Sequence, residues 1–213
     1  MTIKTANPPR KPKDPERTRA DILQAALDVF ARRGFEAATV RDIAAQIGMS
    51  HGMIRYHYET KEKLWFAAVD FLFERLYSTV SISPENQARL EAGDIEVLRD
   101  WLREYVRYCA RHPEHARIMI QESVSPSERL REAMHRHVRD NHKAVLKTIA
   151  VMKDKGALPT SVHPISFIYM LAGACQNMFA LAPEVHYVLD YDALSEQAIE
   201  AHADSIVALF CPA

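Results

Sequence analysis

Glycine is scarce in this chain, six in 213 residues, and cysteine scarcer, with three. Neither a phosphate-cradling glycine loop nor a nucleophile with a suitably placed base can be read from it, so no catalytic residue is expected and the chain does not read as an enzyme. Cys109, Cys175 and Cys211 are far apart, odd in number and set in apolar helical surroundings. They lack the pairing of a disulfide framework and read as reduced residues of a cytoplasmic protein, a thiol-responsive sensor being the alternative. No apolar run is long enough to span a bilayer, and residues 1–14 lack the apolar middle of a secretory signal, so a soluble protein without a membrane partner is expected. A net charge of -1 excludes a strongly basic or acidic class. Its distribution is uneven: residues 1–63 hold 12 Lys and Arg against 8 Asp and Glu, and the rest 15 against 20. That asymmetry favours polyanion binding at the amino-terminal end.

What the chain does have is helical periodicity from end to end, with no sustained alternation to suggest strands, so the fold class is all-α. A first helix starts at Asp14-Pro15-Glu16, with a cap, a proline at the first helical position and an acid for the dipole. Ile22, Leu23, Ala26, Leu27 and Phe30 form its core stripe and Gly34 closes it. Two short helices follow over residues 39–58. Thr39 and Asp42 have the spacing of a capping box, Ile43 and Ile47 share one face, and Gly48 permits a sharp reversal. Ser50 then caps a helix whose His51, Gly52, Met53, Arg55, Tyr56 and His57 supply donors and aromatics, while Ile54 alone points inward. This is the pattern of a helix-turn-helix. A fourth helix over residues 61–80 follows the Thr60 cap, and its first residue, Lys61, reads as part of a phosphate seat.

Further helices are expected at 94–111, 113–123, 126–155, 163–182 and 192–210, about nine in all. The run from Arg17 to Leu76 resembles the DNA-binding domain of the tetracycline-repressor (TetR) family of bacterial transcription regulators. The matching residues are Ile22, Ala25, Ala26, Phe30, Gly34, Phe35, Thr39, Ile43, Ala44, Gly48, Ser50, Gly52, Tyr56, His57, Tyr58, Lys61 and Leu64. Two positions depart from the family pattern. Arg55 stands where relatives usually carry a phosphate-contacting tyrosine, and Met53 where many have threonine, so an operator sequence does not carry over. Residues 1–14 read from their composition as a flexible basic arm whose Arg10, Lys11 and Lys13 reach phosphates or form a merely solvated tail. The resemblance implies a DNA-binding head over 15–76 and a helical body over 77–213 that dimerises and binds a small molecule. Thr39, Arg41, Ser50, His51, Gly52, Met53, Arg55, Tyr56, His57 and Lys61 become the candidate DNA contacts.

For the body the resemblance implies a homodimer through helices 163–182 and 192–210, with Ala172, Gly173 and Ala174 permitting close approach and Ala198, Ile199, His202, Ile206 and Leu209 on one side of the last helix, a pattern that packing within one subunit also explains. Trp101, Tyr105, Tyr108, Met119, Tyr169, Met170, Gln176 and Asn177 are the candidate lining of an effector pocket, an aromatic or methionine stripe of this kind being otherwise core. The implied partner is double-stranded operator DNA, the implied activity that of a ligand-responsive repressor, and no cofactor is expected. Ten histidines raise a rival, a metal sensor or helical metalloenzyme. His112 and His115, three apart, can share a helix face, and His135, His137 and His142 lie along one long helix, where the first two, two apart, cannot; neither HExxH, a cysteine pair nor an acid at a set spacing completes a site.

Overall fold

In the computed structural model, residues 15–211 are described, so the basic arm over 1–14 and the Asp14 cap lie outside the described residues. Helices α1 (Pro15–Ala37), α2 (Val40–Gln46), α3 (His51–Tyr58) and α4 (Lys61–Thr79) come first. Then follow α5 (Pro84–Glu91), α6 (Ile95–Arg111), α7 (Pro113–Val124) and α8 (Glu128–Ala133). A π-helical turn (Met134–Val138) carries α8 into α9 (Arg139–Asp154), and α10 (Pro164–Ala180), α11 (Ala182–Leu189) and α12 (Glu196–Phe210) complete the chain. No strand occurs among the described residues.

The nine expected helices are present, with α8, the π turn and α9 forming the single rod expected over 126–155. Helices α5 and α11 are additions, and the same physical reason accounts for both. Pro84 and Pro183 sit in the first helical turn, where a missing N–H costs nothing, so the prolines that read as breaks are starts. In α5 the Ser83 hydroxyl accepts from the Asn86 amide and only Leu90 is buried, too little to show as periodicity. At Gly34 the backbone turns to φ 71°, and one further helical turn follows to Ala37.

Three apolar cores hold the helices. The first joins Ile22, Leu27, Phe30, Ile43, Ile54, Leu64, Trp65 and Leu72 of α1–α4 with Ile118 of α7 and Ala133 of α8. The second packs α6, α10 and α12 through Leu102, Val106, Cys175, Phe179 and Ile206. Leu90, Val97, Ile149, Met152 and Phe167 make the third. Burial of such side chains stabilises each by roughly 1.5 to 3 kcal/mol. Because the first core includes α7 and α8, α1 rests on the rest of the chain along much of its length.

Polar clusters fix the same seam. Arg75 of α4 donates to Glu114 of α7 at 2.7 Å and to Gln24 of α1 at 2.6 Å. Burial pushes the Glu114 carboxyl up, but hydrogen bonds from His112 and its own backbone, with the charge of Arg75, outweigh that and bring it down to about 2. His115 is buried beside it, its Nδ1 3.0 Å from the Tyr108 hydroxyl. Desolvation, with the Arg75 charge, lowers His115 to about 3, so its ring is neutral at pH 7. At the π turn His137 lies 2.6 Å from Asp70 of α4 and stacks on Phe73 at 4.8 Å.

Candidate nucleic-acid interface

The two short helices are built by their caps. The Thr39 hydroxyl accepts from the Asp42 amide at 3.2 Å, and the Asp42 carboxylate accepts from the Thr39 amide at 3.1 Å, a reciprocal capping box. The Thr39 side chain and then Arg33, 3.2 Å away, hold the Asp42 carboxyl below its ordinary value. Gly48 has φ 62°, and nothing lies within 4 Å of where a Cβ would stand, so glycine is required there by the backbone and not by space. The Met49 amide then donates to the Ala44 carbonyl at 2.9 Å, and the Ser50 hydroxyl caps α3 by accepting from Met53 at 3.4 Å.

On α3 the division of faces is sharp. Ile54 is buried, Tyr58 half-buried, and His51, Gly52, Met53, Arg55, Tyr56 and His57 are exposed, Tyr56 to 85%. Exposed donors and a phenol on a helix packed against α2 and α4 are the groups that reach base edges and phosphates. Thr39, Arg41, His51 and Arg55 border a groove of about 430 Å³ between α2, α3 and the start of α4. Glu36 and Glu59 border it too, carboxylates that sequence reasoning missed and that disfavour a phosphate on that side. Glu59 has φ 59° and ψ -57°, a sparsely populated conformation for a residue with a side chain, and Thr60 donates across it to the Tyr58 carbonyl.

Lys61 requires a correction. Its ammonium donates to the carbonyls of Phe35, Glu36 and Ala38 at 2.8, 3.2 and 3.2 Å, and it sits 4.3 Å from the Phe35 ring centroid. All three donors are committed to the end of α1. Lys61 therefore closes the orphan carbonyls there and has no donor left for a phosphate seat.

The eight residues expected to line one effector pocket lie in three places. Trp101 stacks on Tyr105 and donates to the Val80 carbonyl at 2.8 Å, Tyr105 accepts from Gln176, and Tyr108 is fully buried, all in the second core. Met119 packs in the first core. Tyr169, Met170 and Asn177 are exposed on the outside of α10. Spacing along helices brought them together on paper; the helix rotations separate them. A cleft of about 180 Å³ does lie between the end of α4, α5 and α6, bordered by Val80, Ile82, Arg89 and Trp101.

The side of α12 expected to meet a second subunit is corrected for all but Leu209, which is exposed. Ala198 and Ile206 are buried, Ile206 and Ile199 pack against α6 and α10, and His202 reaches the Ala174 carbonyl at 2.9 Å. Outward on α12 are Ala201, Ser205, Ala208 and Leu209, and outward on α10 are Ile165, Tyr169 and Met170. The exposed apolar surface continues on α11 through Tyr187, Val188 and Leu189.

Among the described residues no three His, Cys, Asp or Glu side chains converge as metal ligands would. Burial raises all three thiols, Cys211 to about 11 and Cys175 to about 12, which suppresses the thiolate that a redox sensor needs. No single described helix is long and apolar enough to cross a membrane; α10 and α11 pass such a test only as a pair bent by 65°.

Comparison with known proteins agrees with this architecture. The family model for bacterial regulatory proteins of the tetR family matches residues 22–68, and that for the C-terminal region of YcdC-like protein matches residues 78–213. The HTH-type transcriptional repressor AcnR of Corynebacterium efficiens is 33% identical over 156 residues, 73% of this chain and 76% of that one. The HTH-type transcriptional repressor Rv3405c of Mycobacterium tuberculosis is 44% identical over 77 residues, 36% of this chain, and the match spans only 41% of that relative's length. Among solved structures, AibR in complex with isovaleryl coenzyme A and operator DNA superposes with a TM-score of 0.69 at 18% identity, covering 91% of this chain and 98% of that one.

Proposed function

The chain belongs to the TetR family of bacterial regulatory proteins, and from that membership we propose that it is a sequence-specific DNA-binding transcriptional repressor, acting in the cytoplasm as a homodimer that a small molecule releases from its operator. It carries no catalytic role in this reading. The observation that carries the proposal is the α3 surface: a helix with only Ile54 fully buried, its other face offering His51, Arg55, Tyr56 and His57 to a major groove. Residues 15–76 form the DNA-binding head and 77–213 the regulatory body, with the arm over 1–14 available to neighbouring phosphates.

Exposed faces of α10 and α12 supply the surface for a second copy. Two recognition helices would then enter successive major grooves about 34 Å apart on a near-palindromic site. Effector release requires a ligand that binds the non-DNA conformation better, with coupling of about 1 to 3 kcal/mol. A solved relative of this fold carrying both an acyl coenzyme A and operator DNA supports a body that holds a small molecule, without naming the one used here.

Selection of bound sites from random duplex DNA by the purified protein, followed by titration of the best site at two salt concentrations, tests this. An inverted repeat with half-sites about one helical turn apart is the expected result. Recovery of no enriched sequence, with a steep salt dependence, would replace the proposal by nonspecific DNA binding.

A further inference from the structure

Phe35 occupies the joint between α1 and the recognition unit. It follows Gly34, where the backbone turns to φ 71°, and precedes the Thr39 cap of α2 by four residues. Its ring meets two cations from different parts of the chain: the Lys61 ammonium at 4.3 Å and the Arg129 guanidinium at 3.6 Å from the centroid. Lys61 belongs to the head and is bound to the carbonyl of Phe35 itself and to those of Glu36 and Ala38 just after it. Arg129 comes from α8, in the body.

Arg129 is itself held. Its Nη2 donates to both oxygens of Glu122 at 3.1 and 2.9 Å, the two side chains being only 12% and 6% exposed, and Ser127 donates to the same carboxylate at 3.4 Å. One residue before Glu122, Gln121 donates to the Ala31 carbonyl of α1 at 2.9 Å, and its side-chain oxygen lies 3.6 Å from the place of a Cβ on Gly34. At its other end α7 reaches α10, where Arg117 donates to the Ala180 carbonyl at 2.9 Å. The corner between α7 and α8 thus grips the last turn of α1 at Ala31, Gly34 and Phe35, while the same α7 is fastened to α10.

A buried ion pair is a poor stabiliser, because the desolvation of two charges offsets their attraction and an apolar pair of equal volume serves as well. What it supplies is placement: with Nη2 tied to both Glu122 oxygens, the guanidinium carbon is held 3.6 Å from the Phe35 ring centroid. We propose that Arg129, aligned by Glu122, is a positioning residue for DNA recognition: it fixes Phe35, and with it the angle at which α2 and α3 leave the body. The half-site separation that the dimer accepts is therefore set at the α7–α8 corner, by a route that does not run through the length of α4. This rests on the dimeric operator-binding reading above.

Operators whose half-sites are moved apart or together by one base pair test it, read by fluorescence anisotropy with the full chain. The double variant Glu122→Gln with Arg129→Met removes both charges and leaves no unpaired ion; Phe35→Leu leaves the ion pair and removes the ring. In both, discrimination between the best and the shifted operators is expected to fall by about fivefold or more, with the salt slope on the best operator unchanged because no phosphate contact is lost. Partial unfolding lowers binding to every spacing equally and leaves that ratio untouched. A ratio within about twofold of the parent in either variant would overturn the assignment. Failure of the parent protein to select any inverted repeat overturns the dimeric reading, and the inference with it.

Discussion

One side chain, His115, gives this protein a calculable share of its acid sensitivity. Buried against Phe73 and Tyr108, it is lowered from 6.5 to about 3 by desolvation first and by the Arg75 charge second. The unfolded chain therefore takes up this proton before the folded one does. Stability is whole above about pH 6.5, falls as pH drops through the window down to about pH 3, and then levels off. At pH 5 the unfolded histidine is one and a half units below its pKa, which at 1.36 kcal/mol per unit is a loss of about 2 kcal/mol. Glu114 acts in the other window. Its carboxyl is lowered from 4.5 to about 2, so its contribution stands above pH 4.5 and disappears only as pH falls toward 2. Comparison of pH 7 with pH 5 thus separates His115 from Glu114, and comparison with a variant separates it from the other nine histidines. The assay is urea unfolding at the two values for the parent and for His115→Asn, whose side-chain amide offers the Tyr108 hydroxyl either a donor or an acceptor. The parent should lose about 2 kcal/mol more than the variant. Parallel losses in the two proteins would refute a neutral buried His115.

Three further outcomes are expected. Lys61→Met should lower stability by about 1 to 3 kcal/mol, by leaving three carbonyls at the end of α1 without their donor, while the salt slope of DNA binding stays unchanged; a slope reduced by about one would restore the phosphate contact. Arg55→Ala should reduce that slope by about one, whereas His51→Ala should change the preference among selected sites, and reversal of the two results would exchange their roles. Glu59→Gly should raise the thermal midpoint, by relieving roughly 1 kcal/mol of backbone strain at φ 59°, and an unchanged or lowered midpoint would argue against strain at this turn.

Much of the head was legible in the order of residues because its determinants are local. A hydroxyl three residues before a carboxylate makes the capping box at Thr39 and Asp42 whatever surrounds it, and a glycine at 48 reverses the chain through its own backbone freedom. Ile54, isolated among polar neighbours, could point only inward. Family membership, the all-helical class and the exposed character of α3 follow from such short-range signals. Helices α5 and α11 were missed for a local reason as well, since proline marks a helix start as readily as a break.

Tertiary structure alone decided what long side chains do. Nothing in the neighbourhood of Lys61 tells that three carbonyls 23 to 26 residues earlier consume its donors. The rotations of α6, α7 and α10 likewise sent Tyr108 inward, Met119 to the head and Tyr169 to the outside, although helical spacing had set them on plausible faces of a single pocket. Arg129 carried no sequence signal at all, because its role depends on Phe35 and Glu122 arriving from two other helices. Caps and turns are written in residues a few positions apart, whereas the partner of a lysine, an arginine or a tyrosine is chosen by how helices cross.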